Sequence, residues 1–212
     1  MPATTKAART RQRLLEAAIA RFSKDGYRGT SIAEITRDAK LSGTAAYVYF
    51  PNKEALFVAA VDADATAVIE EGLACLAEFS SQEHWRDTMM STLLQALAHH
   101  PLAHRILKGL EPEFTVRLLS IPALERLREE SAARLRGQQE EGTVRPDIDP
   151  DQMAHGLVTL TLSMLMALTQ TGVEPSVLLG PGVAAVFNAA LNPLTSAQEQ
   201  DRTAQQSGRD HL

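Results

Sequence analysis

An all-α fold, with a small three-helix N-terminal head and a larger helical domain behind it, is what this 212-residue sequence predicts. Three observations carry the prediction. Alanine and leucine dominate, aromatic residues make up only 5%, and strand-like runs bounded by turn signals are hard to find. Apolar residues recur at i, i+3, i+4 and i+7, the spacing of one helical face. Helix-start residues stand immediately before such runs at Ser31, Asn52, Ser80 and Asp149.

The elements follow in order. Residues 1–6 read as a disordered arm. A first helix over 7–24 puts Leu15, Ala18, Ile19 and Phe22 on one face. Arg9, Arg11 and Arg13 crowd its first turns, where the helix dipole favours acids, and a phosphate nearby would offset that. Gly26 and Gly29 mark a turn. Ser31 and Glu34 form a capping box for a helix over 31–39, with Ile32 and Ile35 inward. After Lys40 and Leu41, Ser42 caps a short helix to residue 48, which Pro51 ends by disfavouring helical geometry at Phe50. Asn52 caps a long helix over 52–79.

Ser80 and Glu83 make a second capping box, opening a helix over 81–99, and Pro101 starts another over 101–108. Residues 112–141 read as helical with a break at Ile121–Pro122. Gly142 to Asp149 is a loop. Asp149 caps and Pro150 opens a helix over 150–171, and a last helix over 175–191 kinks or starts late at Gly180-Pro181-Gly182. From residue 193 the tail is polar and reads as disordered. These boundaries divide the chain into a head (1–52), a helical body (53–192) and a tail (193–212).

Composition excludes several classes. One cysteine, Cys75, forbids a disulfide framework or a multi-cysteine zinc site and fits a reducing compartment. The basic N-terminus has no apolar stretch behind it, so it is not a secretory signal. The most apolar run, 156–168, is shorter than the ~18 residues a membrane span needs, so a cytoplasmic protein without a membrane partner is expected. Nucleophile elbow, P-loop and dinucleotide fingerprint are all missing, so no catalytic residue is assigned. His100 and His104 stand at i, i+4, but the HExxH glutamate is missing, and neither a metal nor another cofactor is expected. The net charge of −5 is uneven: up to residue 60, ten Lys/Arg face five Asp/Glu, which suggests that the head meets a polyanion.

Two short helices joined by a brief turn, after a basic helix and before a capped one, are a helix-turn-helix arrangement. The window Ser42-Gly43-Thr44-Ala45-Ala46-Tyr47 presents small and polar groups suited to base edges and phosphates. Thr44 offers a hydroxyl, Ala45 a methyl for a thymine, and Tyr47 a phenol for a phosphate or base. Tyr47 and Phe50 also suit a small core; Phe50 is read as core and Tyr47 as DNA contact. Thr30, Ser31 and Ser42 sit at helix starts, which bind phosphate well, while Arg9, Arg37 and Lys40 add positive charge.

The run TSIAEITRDAKLSGTAAYVYFPNKEALF, residues 30–57, resembles the signature of TetR-type transcriptional regulators, with Tyr47, Tyr49-Phe50 and Lys53-Glu54-Ala55-Leu56 in register. It departs from that pattern at Lys40, where a turn glycine is usual, and at Gly43-Thr44-Ala45-Ala46. The resemblance implies that Tyr49 and Lys53 touch phosphates. It further implies that the body is a ligand-binding and dimerisation domain, and that a homodimer binds a palindromic double-stranded operator until an unknown small-molecule effector releases it. The middle helices would then line an effector pocket with Trp85, Met89, Met90, Leu93, Phe114, Leu118 and Met153. The last two long helices would form the dimer surface through Leu157, Leu160, Met164, Leu168, Val183, Val186 and Phe187. The alternative is a helical ligand-binding bundle or enzyme whose head no longer reads an operator.

Overall fold

The computed structural model describes residues 6–77, 85–178 and 180–192, apart from the side chains of 75–77, 85–89, 118 and 178. Ten helices and two 3-10 turns account for most of the described residues, and no strand occurs among them. Helix α1 (Lys6–Gly29) runs past its expected end. It kinks at Gly26, whose φ of 73° is left-handed, and buries Leu14, Leu15, Ala18 and Phe22. Helix α2 (Ile32–Asp38) starts at the predicted capping box. The Ser31 hydroxyl accepts the Glu34 N–H, and Glu34 accepts the Ser31 N–H at 2.9 Å. The Ser31 hydroxyl also donates to Glu34 Oε2, and this bond together with that of the Ser31 N–H favours the ionised carboxylate and holds Glu34 below the ordinary range. The contribution of the box is therefore full above the unfolded pKa and lost as pH falls through the lowered one.

The turn after α2 has the geometry of a glycine turn built with lysine. Lys40 adopts φ 54°. Its N–H donates to Arg37 O at 3.0 Å and that of Leu41 to Thr36 O at 2.9 Å, the two bonds of a Schellman motif. Arg13 reaches over from α1 and donates to the carbonyls of Ala39 and Lys40, placing a cation at the C-terminus of α2. An L-residue in this region costs about 1–2 kcal/mol, and glycine's extra backbone entropy offsets about half of that. Lys40→Gly is accordingly expected to stabilise the protein by about 0.5–1 kcal/mol. Thermal denaturation checks this, and an unchanged or lower midpoint counts against strain at Lys40.

The next element corrects the sequence reading. Instead of a helix capped at Ser42, there is one 3-10 turn, Ala45–Val48, preceded by Thr44 without a side-chain cap bond. Ser42 contributes its backbone carbonyl, which accepts the Ala45 N–H at 2.9 Å, and not its hydroxyl. Buried Ala46 and Phe50 pin this short turn to the core. Helix α3 (Lys53–Ala77) then starts at Asn52, whose Oδ1 accepts the Ala55 N–H at 2.8 Å.

The body comprises α4 (Trp85–His99), α5 (Pro101–Leu107), a 3-10 turn (Pro112–Phe114), α6 (Thr115–Leu118), α7 (Pro122–Glu140), α8 (Pro150–Thr171), α9 (Pro175–Leu178) and α10 (Pro181–Leu191). The predicted capping box at Ser80 and Glu83 and the tail from 193 lie outside the described residues. Asp149 Oδ1 caps α8 by accepting the Asp151 and Gln152 N–H groups at 2.9 and 3.0 Å, and Gly172 (φ 66°) closes it. Among the described residues α8 alone is long and apolar enough, by length and composition, to cross a membrane, which the shorter run 156–168 did not suggest. It packs on α7, α5 and α4.

One apolar cluster crosses the head–body boundary. Leu14, Phe22, Ile35 and Phe50 of the head share it with Phe57 of α3 and with Leu102, Phe114, Ile121 and Leu124 of the body. Full burial of each such side chain is worth about 1.5–3 kcal/mol, so head and body hold each other in place. A second cluster joins α3, α4, α5 and α8 around Val68, Met90, Leu97 and Leu165, and a third joins α7 and α8 around Leu135 and Ala154.

Candidate nucleic-acid interface

The surface that leads away from this core is the turn itself. Tyr47 is 57% and Val48 80% exposed, beside buried Ala46. Arg9, Arg37, Lys40, Ser42, Gly43 and Thr44 are exposed as well, while Ala45 and Tyr49 are half-buried. A phenol, a hydroxyl and an apolar side chain thus project from a turn held rigidly from beneath, with cations nearby. Such a surface suits base edges and phosphates of a duplex. Val48 was not singled out from the sequence. An apolar residue between two tyrosines reads as core until its exposure is known.

Basic side chains also fasten the scaffold. Arg21 binds Asp38 with both ends of its guanidinium, Nε to Oδ2 at 2.5 Å and Nη2 to Oδ1 at 3.2 Å, tying α1 to α2. That bond holds the Asp38 carboxyl below its ordinary range. Arg11 lies 5.3 Å from the centre of the Phe50 ring.

Three predicted contacts are engaged within the chain itself. Thr30 is 3% exposed, and its hydroxyl donates to Gly26 O at 2.8 Å, which removes it from any outer surface. The Ser31 hydroxyl donates to Glu34 Oε2 at 2.7 Å and is taken up by the capping box. Lys53 Nζ donates to Tyr27 O at 2.9 Å and Thr30 O at 3.1 Å, and sits 4.2 Å from the centre of the Tyr27 ring. Its ammonium closes the end of α1 instead of facing outward.

The described residues of the predicted effector lining divide among three apolar clusters. Met90 and Leu93 belong to the α3–α4–α8 cluster, Phe114 to the head–body cluster, and Met153 packs beside Leu135 and Val144. Met90 and Leu93 thus share one part of the core, while Phe114 and Met153 are taken up by two others. Trp85, Met89 and Leu118 have side chains outside the described residues, as has Cys75. A described cleft of about 230 Å³ lies elsewhere, between Asp25, Gly26 and Arg28 of the head and Arg105, Leu110, Glu111, Pro112 and Glu113 of the body.

The predicted dimer residues divide. Leu160 and Val186 are exposed, Leu157, Met164 and Val183 half-buried. Leu168 and Phe187 are buried within the chain itself and are therefore core residues. Next to Val186, Gly182, Ala185 and Ala189 are exposed at helical spacing, giving α10 a small-residue outer face.

Among the histidines, His100 pairs with Asp64 and Glu71 through opposite ring nitrogens, at 3.1 and 3.2 Å, and His99 with Glu71 at 3.3 Å. These bonds draw the Glu71 carboxyl below its usual range, and burial lowers His104. Among the described residues no group of three such side chains converges as a metal site would require.

Comparison with known proteins agrees with this geometry. Residues 14–60 match the family of bacterial regulatory proteins described as tetR family. The HTH-type transcriptional regulator UidR of Escherichia coli is 26% identical over 193 residues, covering 88% of this chain and 95% of its own. The HTH-type transcriptional repressor NicS of Pseudomonas putida is 40% identical over 57 residues, 27% of each chain. In structure, a TetR-family transcriptional regulator from Pectobacterium atrosepticum superposes with a TM-score of 0.65 at 23% identity, covering 86% of this chain and 92% of that one.

Proposed function

We propose that this chain, a TetR-type helix-turn-helix transcriptional regulator, acts as a homodimeric repressor that reads a palindromic operator and is released by a small-molecule effector. The observation that carries the reading is the exposed turn of Thr44, Tyr47 and Val48 above a buried Ala46 and Phe50, flanked by Arg37 and Lys40. Residues aimed outward from so firmly held a turn serve a partner, and the positive head makes that partner a polyanion.

Two further features support the finer parts. A duplex offers equivalent half-sites one turn apart, which a two-fold dimer matches, and the outer faces of α8 and α10 carry Leu160, Gly182, Val186 and Ala189 for such a contact. Helix α3 begins beneath the reading turn and continues for 25 residues, about 37 Å, into the body, where it packs on α4 and α7. Movement in the body is thereby transmitted to the head, and an effector that prefers one arrangement shifts operator affinity by its differential binding. The named repressor among the relatives supports repression as the sign.

The test is selection of duplexes from a randomised library, followed by fluorescence anisotropy on the selected and scrambled sequences at two salt concentrations. Tight, sequence-preferring binding by two protomers per site is expected; equal weak binding to both duplexes counts against operator reading. Arg37→Ala should weaken binding to all sequences and lower the slope of log K against log salt by about one unit. An unchanged slope removes Arg37 from the phosphate contacts.

A further inference from the structure

Head and body are joined a second time, away from α3. Gly26 breaks α1 at φ 73° and ψ 175°, which turns the next N–H, that of Tyr27, toward the body. It donates to Glu111 Oε1 at 3.1 Å, and the same oxygen accepts Arg105 Nε at 2.8 Å. Only glycine fits at position 26. A Cβ there would lie 2.5 Å from an Arg105 guanidinium nitrogen and 2.8 Å from Glu111 Oε1, on a backbone that side chains rarely adopt.

The neighbours reinforce this junction. Arg28 pairs with Glu113, and Phe114 sets its ring 4.6 Å from that of Tyr27. Residues 105–114 therefore hold one short stretch of the head, 26–28, by a backbone hydrogen bond, one ion pair and a ring contact, and the Arg105–Glu111 pair within 105–114 fixes the carboxylate that accepts the hydrogen bond. Glu111 is only 6% exposed. Burying a carboxylate forfeits hydration that an apolar residue of the same size would not, so stability alone does not explain its presence. What the bonds add is direction, because the carboxylate is correctly placed only at one head–body angle.

We propose that residues 105–114 form a clamp that fixes the angle of each head to its body, with Glu111 as the positioning residue, and that this angle sets the operator spacing a dimer accepts. The apolar cluster that α1 and α3 share with the body is non-directional and leaves the head small rotations about α3. A second, off-axis attachment removes this freedom and makes the distance between two reading turns a property of the bodies. The inference rests on the two-headed operator reading above, but its first readout needs no DNA.

The experiment compares wild type, Glu111→Ala and Glu111→Gln. Amide hydrogen exchange at Tyr27 is read first. Glu111→Ala should speed it about tenfold or more, while Glu111→Gln, which keeps a carbonyl oxygen for the Tyr27 N–H, should stay within about threefold of wild type. Binding is then measured on the duplex selected with wild-type protein, on versions with the central spacer changed by one or two base pairs, and on a single half-site. Glu111→Ala should keep half-site affinity but lose about tenfold of the discrimination between spacings. Unchanged Tyr27 exchange, or unchanged spacing discrimination in Glu111→Ala, overturns the clamp. Equal loss on half-site and full site marks a damaged head and overturns it too. Wild-type protein that ignores spacing overturns the two-headed reading, and the role of the clamp in spacing with it, whatever the exchange shows.

Discussion

Phe57→Ala is expected to cost about 3–5 kcal/mol and to weaken head and body together. The ring is fully buried. It meets Phe22 of α1 edge-on at 5.0 Å, Tyr27 at 5.1 Å and Phe114 of the body at 4.7 Å. Such pairs add about 0.5–1.5 kcal/mol each beyond the area they bury. Removing the ring leaves a cavity bordered by both parts of the chain, and rigid neighbours on three sides prevent its collapse. Urea titration followed by hydrogen exchange reads the result. Protection in α2 of the head and in α8 of the body should fall at the same urea concentration, lower than in wild type. Head amides that open early while α8 keeps wild-type protection would show that the shared cluster does not couple the two.

That coupling explains which parts of the structure were legible in the sequence. Signals that complete themselves within four residues could be read directly, except at Ser42, where the buried Ala46 and Phe50 allow only one 3-10 turn. The Ser31–Glu34 box, the Asn52 cap and the Asp149 cap depend on a side chain and a backbone N–H two or three positions away. The tetR-type register from Thr30 to Phe57 was legible for a similar reason, since a dense local pattern needs no distant partner to be seen.

Partners across the chain were not legible. Arg13 looks like a phosphate ligand until its guanidinium is found on the carbonyls that end α2. Glu111 looks like any acidic residue until the Tyr27 N–H, 84 positions away, is found against it. Lys40 stands where the family pattern has a glycine, and nothing local shows that two hydrogen bonds and the Arg13 cation hold the glycine-like geometry in spite of the side chain. In the body, Leu168 and Phe187 carry the same apolar pattern as the exposed Leu160 and Val186. A helix apolar on several sides does not reveal which side meets its own chain and which a second copy.

Lys53 shows how the difference between pattern and placement can be measured. The family resemblance makes it a phosphate contact, whereas the structure spends its ammonium on the carbonyls of Tyr27 and Thr30 and on the face of the Tyr27 ring. Hydrogen bonds from a charged group contribute about 1.5–3 kcal/mol, and a partly shielded cation over an aromatic face about 0.5–2 kcal/mol. Lys53→Met keeps most of the apolar stem and removes the charge, so it leaves both carbonyls half-buried without their donor. The expected result is a loss of about 2–3 kcal/mol in stability, with the salt slope of operator binding unchanged where the protein remains folded. Arg37→Ala is expected to behave in the opposite way, losing about one unit of slope with little change in stability. If Lys53→Met instead loses a unit of slope at wild-type stability, its ammonium leaves the end of α1 to meet a phosphate, and the inward bonds belong to the DNA-free protein alone.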